Sequence, residues 1–203
     1  MIARTRHLDL GCGPIPRNPY GRDETYGCDI LPLEVNIKIS NNNYRQANLI
    51  LESIPFPDNH FDSVSAFDFL EHVPRYVVLS SGASAAPFIN LMNEIFRVLK
   101  PGGVFFASTP AYPHSAAFSD PTHVNIITDQ THRYFVGVNP TARIYGFVGN
   151  FQLNYSRWDT PHNADYPFES WPRKFFRRMH RRILRDGLSH MFWEFIAKKS
   201  TGA

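Results

Sequence analysis

The run from Phe88 to Ser108 constrains the fold more than any other part of the chain. Phe88, Leu91, Met92, Ile95, Phe96 and Leu99 recur at steps of three and four, which places them on one face of a helix. Pro87 suits a first helical turn, Pro101-Gly102-Gly103 is expected to end the helix, and the apolar strand Val104–Ser108 follows at once. A helix over 88–100 that feeds directly into a strand calls for a sheet on which its apolar face can pack. Other short runs have strand character: His7–Leu10, Thr25–Ile30, Gln46–Leu49 and Ser63–Phe67, each bounded by Gly, Pro, Asn or Asp. Strands in this order, separated by longer connections, predict an α/β chain with a parallel sheet and crossovers.

Not every connection can be a helix. Pro14, Pro16 and Pro19 make a long helix over 14–24 improbable. Residues 109–143 hold four prolines and little periodicity, so they are expected to form an irregular insertion or lid, with one helical turn near Asp129–Tyr134. Two further strands are expected at Ala142–Trp158 and His190–Lys198. With 203 residues, 43% hydrophobic and 19% charged, the chain reads as one globular domain over 1–203. Two cysteines, Cys12 and Cys28, exclude a disulfide scaffold or a four-cysteine zinc site, and are expected to be small buried thiols. The opening MIARTRHLDL has no apolar signal core, and the longest uncharged run, Tyr76–Asn93, is too polar to span a bilayer. A soluble cytoplasmic chain, with the membrane surface as an option, is the expectation.

His7-Leu8-Asp9-Leu10-Gly11-Cys12-Gly13-Pro14 runs a strand directly into glycines, which allow a ligand close to the backbone. Sixteen residues after Gly13, Asp29 closes the second strand in Tyr26-Gly27-Cys28-Asp29-Ile30. A carboxylate there would lie beside the first loop and could accept both hydroxyls of a ribose, with Ile30 and Leu31 against an adenine face. A tight turn and an unrelated surface aspartate is the alternative. Without a helix after the loop a pyrophosphate is disfavoured, whereas a nucleoside lacking phosphate, such as S-adenosylmethionine, needs none.

HLDLGCGP, YGCDI, IPFPDNHFDSV, FLEHV and EIFRVLKPGGVFFASTP occur in an order and spacing that resemble the class I S-adenosylmethionine-dependent methyltransferases of the type 11 kind. The resemblance covers roughly residues 7–110. It implies a Rossmann-like class I methyltransferase fold, a mostly parallel seven-stranded sheet with helices on both faces, and S-adenosyl-L-methionine as cofactor. On this resemblance Asp9, Gly11, Cys12 and Gly13 would line the methionine part of the cofactor and Asp29 would hold the ribose, with Ile30 beside it. Asn48 and Leu49 stand where the family carries an aspartate–hydrophobe pair near adenine. Phe67 and Asp68 would lie under the sulfonium. Only about six residues precede the first strand, so the family's N-terminal covering helix is not expected.

Methyl transfer is an in-line displacement in which the protein chiefly positions the acceptor, and a hydroxyl acceptor also benefits from a general base. Polar candidates cluster after the fifth strand: His114, Asp120, His123, Asp129 and His132. Ser119-Asp120-Pro121-Thr122-His123-Val124 resembles a segment of some sugar- and glycan-pathway methyltransferases. His123 and Asp120 are therefore the candidate catalytic residues, against the alternative that His123 is one of many structural histidines. His72 is read as structural, and no metal is expected, since His114, Asp120 and His123 match no common metal spacing. The aromatic motifs of base-modifying enzymes are absent after the fourth strand, where Phe67-Asp68-Phe69-Leu70 stands instead.

The formal net charge is +3, yet residues 173–185 (RKFFRRMHRRILR) carry seven basic residues and no acid, so the remaining body is net acidic. On a helix Phe175, Phe176, Met179 and Ile183 share one stripe and the basic residues cover the rest. The segment 168–187 is read either as a helix docked on the sheet or as a contact for an anionic membrane surface, a phosphorylated ligand or nucleic acid. The expected function is methyl transfer to a small-molecule or glycan-type acceptor at a hydroxyl. The alternatives are a nucleic acid methyltransferase and a non-catalytic cofactor-binding partner.

Overall fold

The computed structural model describes residues 4–32, 34, 43–164, 172, 175–176, 179 and 187–199. Its strands are β1 (Arg6–Leu10), β2 (Glu24–Asp29), β3 (Tyr44–Gln46), β4 (Phe61–Phe67), a small hairpin of β5 (Val77–Val78) and β6 (Ser84–Ala85), β7 (Leu99–Pro110), β8 (Phe151–Asp159) and β9 (His190–Ala197). The α-helices bounded within the described residues are α1 (Pro87–Val98) and the single turn α2 (Ala116–Ser119), and the described residues Pro172, Phe175, Phe176 and Met179 are helical as well. Seven strands form one sheet in the order β3-β2-β1-β4-β7-β9-β8. β1 pairs in parallel with both β2 and β4, and β4 with β7, while β9 runs antiparallel to β7 and β8. The strand order reverses between β1 and β4, and the C-terminal ends of those two strands open the crevice where such sheets bind ligands.

Alternation along the strands divides the sheet into two unlike faces. Leu8, Leu10, Val64, Ala66, Phe105 and Ala107 join the main core with the buried stripe of α1: Phe88, Leu91, Met92, Ile95 and Val98. The intervening residues His7, Asp9, Ser63, Ser65 and Glu194 are buried and polar, and Phe67, Phe106 and Phe192 form a smaller cluster with Tyr20 packed against it. Among the described residues α1 is the longest helix, and it covers the main-core face. Tyr20, from the proline-bearing β1–β2 connection, packs on the second cluster and donates its hydroxyl to Glu194 (2.6 Å). A polar sheet face needs hydrogen-bonding chain over it, which an apolar helix stripe would not supply.

Several element boundaries differ from the sequence reading. The third strand occupies 44–46 rather than 46–49, because Leu51 and Glu52 turn back onto the Asn48 carbonyl and Ala47–Leu49 lead into that turn. The helix stops at Val98, not at the Pro-Gly-Gly, because Leu99 is already extended and pairs with Phe61; Pro101-Gly102-Gly103 fall in the irregularity between that pair and Ser63–Val104. The strand expected from Ala142 begins only at Phe151, since Thr141–Tyr145 form a 3-10 turn closed by Gly146 at φ +89°. The insertion is docked: Ile127 and Phe135 are buried, Ala111 bridges to Ile127, and the helical turn lies at Thr131–Phe135.

Candidate functional site

β1 ends in a loop that the second strand holds by hydrogen bonds. Gly11 N–H donates to the Cys28 carbonyl (2.9 Å), and Gly13 N–H donates to Asp29 Oδ2 (2.8 Å). Asp29 Oδ1 accepts from Leu31 N–H (3.0 Å), so each carboxylate oxygen has one lone pair engaged and one left. Gly11 is required twice over: its φ is +61°, and a Cβ there would lie 2.5 Å from the Phe69 ring. On β2, a Cβ on Gly27 would collide with Pro16 and with Cys12 Sγ at 2.8 Å, so this glycine lets the loop lie on the strand. Cys12 is half-buried, its thiol donates to the Gly13 carbonyl, and burial pushes its pKa upward.

Beneath the loop runs a buried chain of polar groups that sequence reading missed. Ser65 donates to Asp9 Oδ1 (2.6 Å), so it accepts from His7 Nε2 (2.9 Å); His7 Nδ1 is then left to accept from Ser63 (2.8 Å), which itself accepts from Arg22 Nε (3.3 Å). Asp9 Oδ2 accepts from Arg17 N–H (2.8 Å). Burial pulls His7 down to about 3, with Arg22 adding to the effect, and keeps the imidazole neutral. Burial pushes Asp9 up to about 7 against the two hydrogen bonds that favour its charge. Asp9 therefore ties the β1–β2 connection to the sheet. The signal was present in the alternation His7-x-Asp9 beside Ser63-x-Ser65, whose polar residues share one face.

At the ends of β4 and β7 a second polar centre forms. Glu71 is 1% exposed; its Oε2 accepts from Thr109 (2.9 Å), while Oε1 has no hydrogen-bond partner. Burial pushes its carboxyl up to about 8. His123 Nε2 stands 3.9 Å from Glu71 Oε1, and the rings of His72 and His123 meet edge to face at 4.9 Å. The insertion brings His123 here by docking on the turn after β4: Val124 and Asn125 N–H both donate to the Glu71 carbonyl (3.0 and 2.9 Å). His123 Nδ1 donates to the Ala117 carbonyl (3.2 Å). Asp120 does not reach His123 through its side chain; its Oδ1 accepts from Thr122 N–H (2.8 Å) and from the Thr122 hydroxyl (2.7 Å). His114 Nδ1 accepts from Ala116 N–H (3.0 Å), in its own turn.

The remaining candidates are placed as follows. Ile30 is 61% exposed beside Asp29, and Leu51, from the neighbouring loop, is 68% exposed. Asn48 Oδ1 accepts from Ile50 N–H (3.2 Å), and Leu49 is buried in the main core. Phe67 lies under the Arg17 guanidinium (4.5 Å to the ring centre), and Asp68, at φ +48°, pairs with His190 Nε2 (3.0 Å).

The methyltransferase domain family model matches residues 8–107, a stretch from β1 into β7 that carries the glycine loop, Asp29, Glu71 and His72, while Thr109 and His123 lie beyond it. The chain belongs to the class I S-adenosylmethionine-dependent methyltransferases. A sterol 24-C-methyltransferase of Schizosaccharomyces pombe is 34% identical over 113 residues, 50% of this chain and 26% of that protein. A ubiquinone/menaquinone biosynthesis C-methyltransferase of Psychromonas ingrahamii is 36% identical over 93 residues, 44% of this chain and 31% of that protein. The chain thus spans about a quarter to a third of the length of these curated relatives. The crystal structure of an S-adenosylmethionine-dependent methyltransferase from Archaeoglobus fulgidus superposes with a TM-score of 0.53 at 16% identity, covering 97% of this chain and 87% of that one. S-adenosylmethionine is the cofactor the family implies, and the residues fit it. Asp29 has two lone pairs to offer to ribose hydroxyls, Ile30 and Leu51 offer exposed apolar surface to a purine, and a Cβ on Gly13 would meet no atom within 4 Å.

Proposed function

We propose that this chain transfers the methyl group of S-adenosylmethionine to a hydroxyl of a small-molecule or glycan-type acceptor. Asp29 and the Gly11–Gly13 loop hold the cofactor, which when bound supplies an electrophilic methyl on a sulfonium. The observation that carries the acceptor reading is the tautomer of His123: its Nδ1–H is spent on the Ala117 carbonyl, so Nε2 keeps a lone pair on the side of Glu71. A nitrogen so fixed can accept a hydroxyl proton as the oxygen attacks. Thr122 and Asp120 are positioning residues for this turn. Next to it, Tyr76, Tyr134 and Tyr145 line a cleft of about 480 Å³, whose Arg75 is tied to Asn125 (2.7 Å); aromatic walls of this kind suit the faces of sugar rings. The test is transfer of label from methyl-labelled cofactor to panels of glycosides, phenols, quinones, sterols and RNA. Label in a methyl ether of a hydroxyl acceptor supports the reading, and label only on carbon or on RNA overturns it.

A second reading concerns where the protein works. We infer that segment 168–187 meets an anionic membrane surface. Pro172, Phe175, Phe176 and Met179 are helical, and Phe175, Phe176 and Met179 are 56%, 62% and 43% exposed, so their stripe is not buried on the sheet. The rest of 165–186 lies outside the described residues. Among those described, no helix is long and apolar enough to cross a membrane.

A further inference from the structure

Three potential ligand atoms converge at the second polar centre. Glu71 Oε1 is one, buried and unpartnered. His123 Nε2 is the second, since Nδ1–H donates to the Ala117 carbonyl. The third belongs to His72. The Thr122 hydroxyl donates its hydrogen to Asp120 Oδ1 (2.7 Å), so it can only accept at His72 Nδ1 (3.0 Å), and Nε2 of His72 keeps the free lone pair. One ligand atom from each of Glu71, His72 and His123 lies within 4.8 Å of the other two. A proton on one imidazole or on the Glu71 carboxyl would answer one of these contacts; a cation answers all three.

We propose that Glu71, His72 and His123 form a binding site for a divalent first-row transition cation such as zinc. Two imidazoles and one carboxylate are the donor set of open catalytic and non-haem sites, which keep further positions for water or substrate. Bonds of about 2.0–2.2 Å set ligand atoms on such a cation about 3–3.5 Å apart. The 3.9 Å between His123 Nε2 and Glu71 Oε1 closes to that by small side-chain rotations. The outer shell is already built: each imidazole donates its other N–H, to a carbonyl and to a carboxylate-bound hydroxyl, and Thr109 holds the far oxygen of Glu71. His72 is half-buried and the His123 side chain is 9% exposed, so the site lies close beneath the surface. A nitrogen that binds the cation cannot also take the acceptor's proton, so with metal bound the cation would acidify an acceptor hydroxyl in place of the His123 lone pair; metal binding itself does not rest on methyl transfer.

The test uses the full, untagged chain, stripped with chelator and titrated with cobalt(II) alone, read by its visible absorption and by metal analysis after dialysis, with zinc as competitor. One equivalent of cobalt, displaced by zinc, is expected. His72→Ala and His123→Ala should each weaken it at least about tenfold, and Thr122→Val, which keeps all three ligands, by about 10–100-fold. His114→Ala should bind as the wild type does. S-adenosylhomocysteine binding and the circular dichroism of the stripped variants report on folding. Cobalt uptake by the wild type no greater than that of the His72→Ala/His123→Ala double variant overturns the proposal, whatever the outcome of the methyl-transfer assays.

Discussion

At the residue scale, Asp29 and His7 show how a single side chain can serve the backbone and the chemistry together. Asp29 anchors Gly13 and Leu31 and keeps a lone pair on each oxygen for ribose. Asp29→Ala should weaken S-adenosylhomocysteine binding at least tenfold by calorimetry, since each charge-assisted hydrogen bond lost is worth about 1.5–3 kcal/mol. Unchanged affinity in a folded variant removes the assignment. His123→Ala should lower turnover by about 10²–10⁴ while cofactor affinity holds; full turnover would return His123 to a structural role. His7 carries the pH prediction. The unfolded chain takes up its proton near 6.5 but the folded protein only near 3, so His7 costs stability as pH falls through that window. Asp9 acts in the opposite sense: the folded protein keeps its proton up to about 7, so stability from this group falls as pH rises from 3.8. In His7→Gln the first contribution is gone. Urea unfolding should show the variant gaining on the wild type by about 2–3 kcal/mol between pH 6.5 and 4.5, from about 1.4 kcal/mol per pH unit. A pH-independent difference would refute the buried neutral imidazole.

At the element scale, α1 does more than cover the sheet. Arg97 donates to the Ile54 and Phe56 carbonyls (2.8 and 2.9 Å) and to Asp58 (2.7 Å), while Glu94, bound to the same guanidinium, accepts from Ile54 N–H (2.9 Å). Helix and loop 54–58 therefore fold as one unit. Lysine has no planar fork to reach four acceptors, so Arg97→Lys should cost about 1–3 kcal/mol in urea unfolding, allowing for a side chain still partly in solvent; equal midpoints would show that the packing alone holds the loop. Periodicity made α1, β4 and β7 legible, because each buries its own pattern. The glycine loop was legible because Gly11 and Gly27 occupy places where a side chain cannot stand. The direction of Asp9 was not: a strand-end carboxylate can turn to the ligand or to the sheet, and Ser65, 56 residues on, decides it. Nor was the partnership of Glu71 and His72 with His123, which exists only because the insertion lays Val124 and Asn125 on the Glu71 carbonyl. The strand expected from Ala142 failed for a local reason, as Gly146 in a left-handed conformation closes a turn there.

At the scale of the whole molecule, charge is divided between a net acidic body and the run Arg173–Arg185. A basic face that only solvated a docked helix would leave the apolar stripe buried, whereas Phe175, Phe176 and Met179 are exposed together. Exposed phenylalanines flanked by arginines match the interfacial region of an anionic leaflet, where each basic side chain contributes about 1 kcal/mol and the rings add burial. Glutamate at Arg177, Arg178, Arg181 and Arg182 leaves the cofactor loop untouched. The wild type should cosediment with phosphatidylglycerol vesicles, far less with neutral phosphatidylcholine, and lose binding steeply as salt rises. The charge-reversed variant should stay in the supernatant with S-adenosylhomocysteine affinity unchanged. Serine at Phe175 and Phe176 should weaken binding while its salt dependence persists, because area and charge act separately. Equal sedimentation of wild type and charge-reversed protein would refute the membrane assignment. Binding to RNA or duplex DNA without binding to vesicles would refute it as well, and would move the acceptor toward nucleic acid. Little sequence preference is expected even then, since the segment offers charge without a base-reading element.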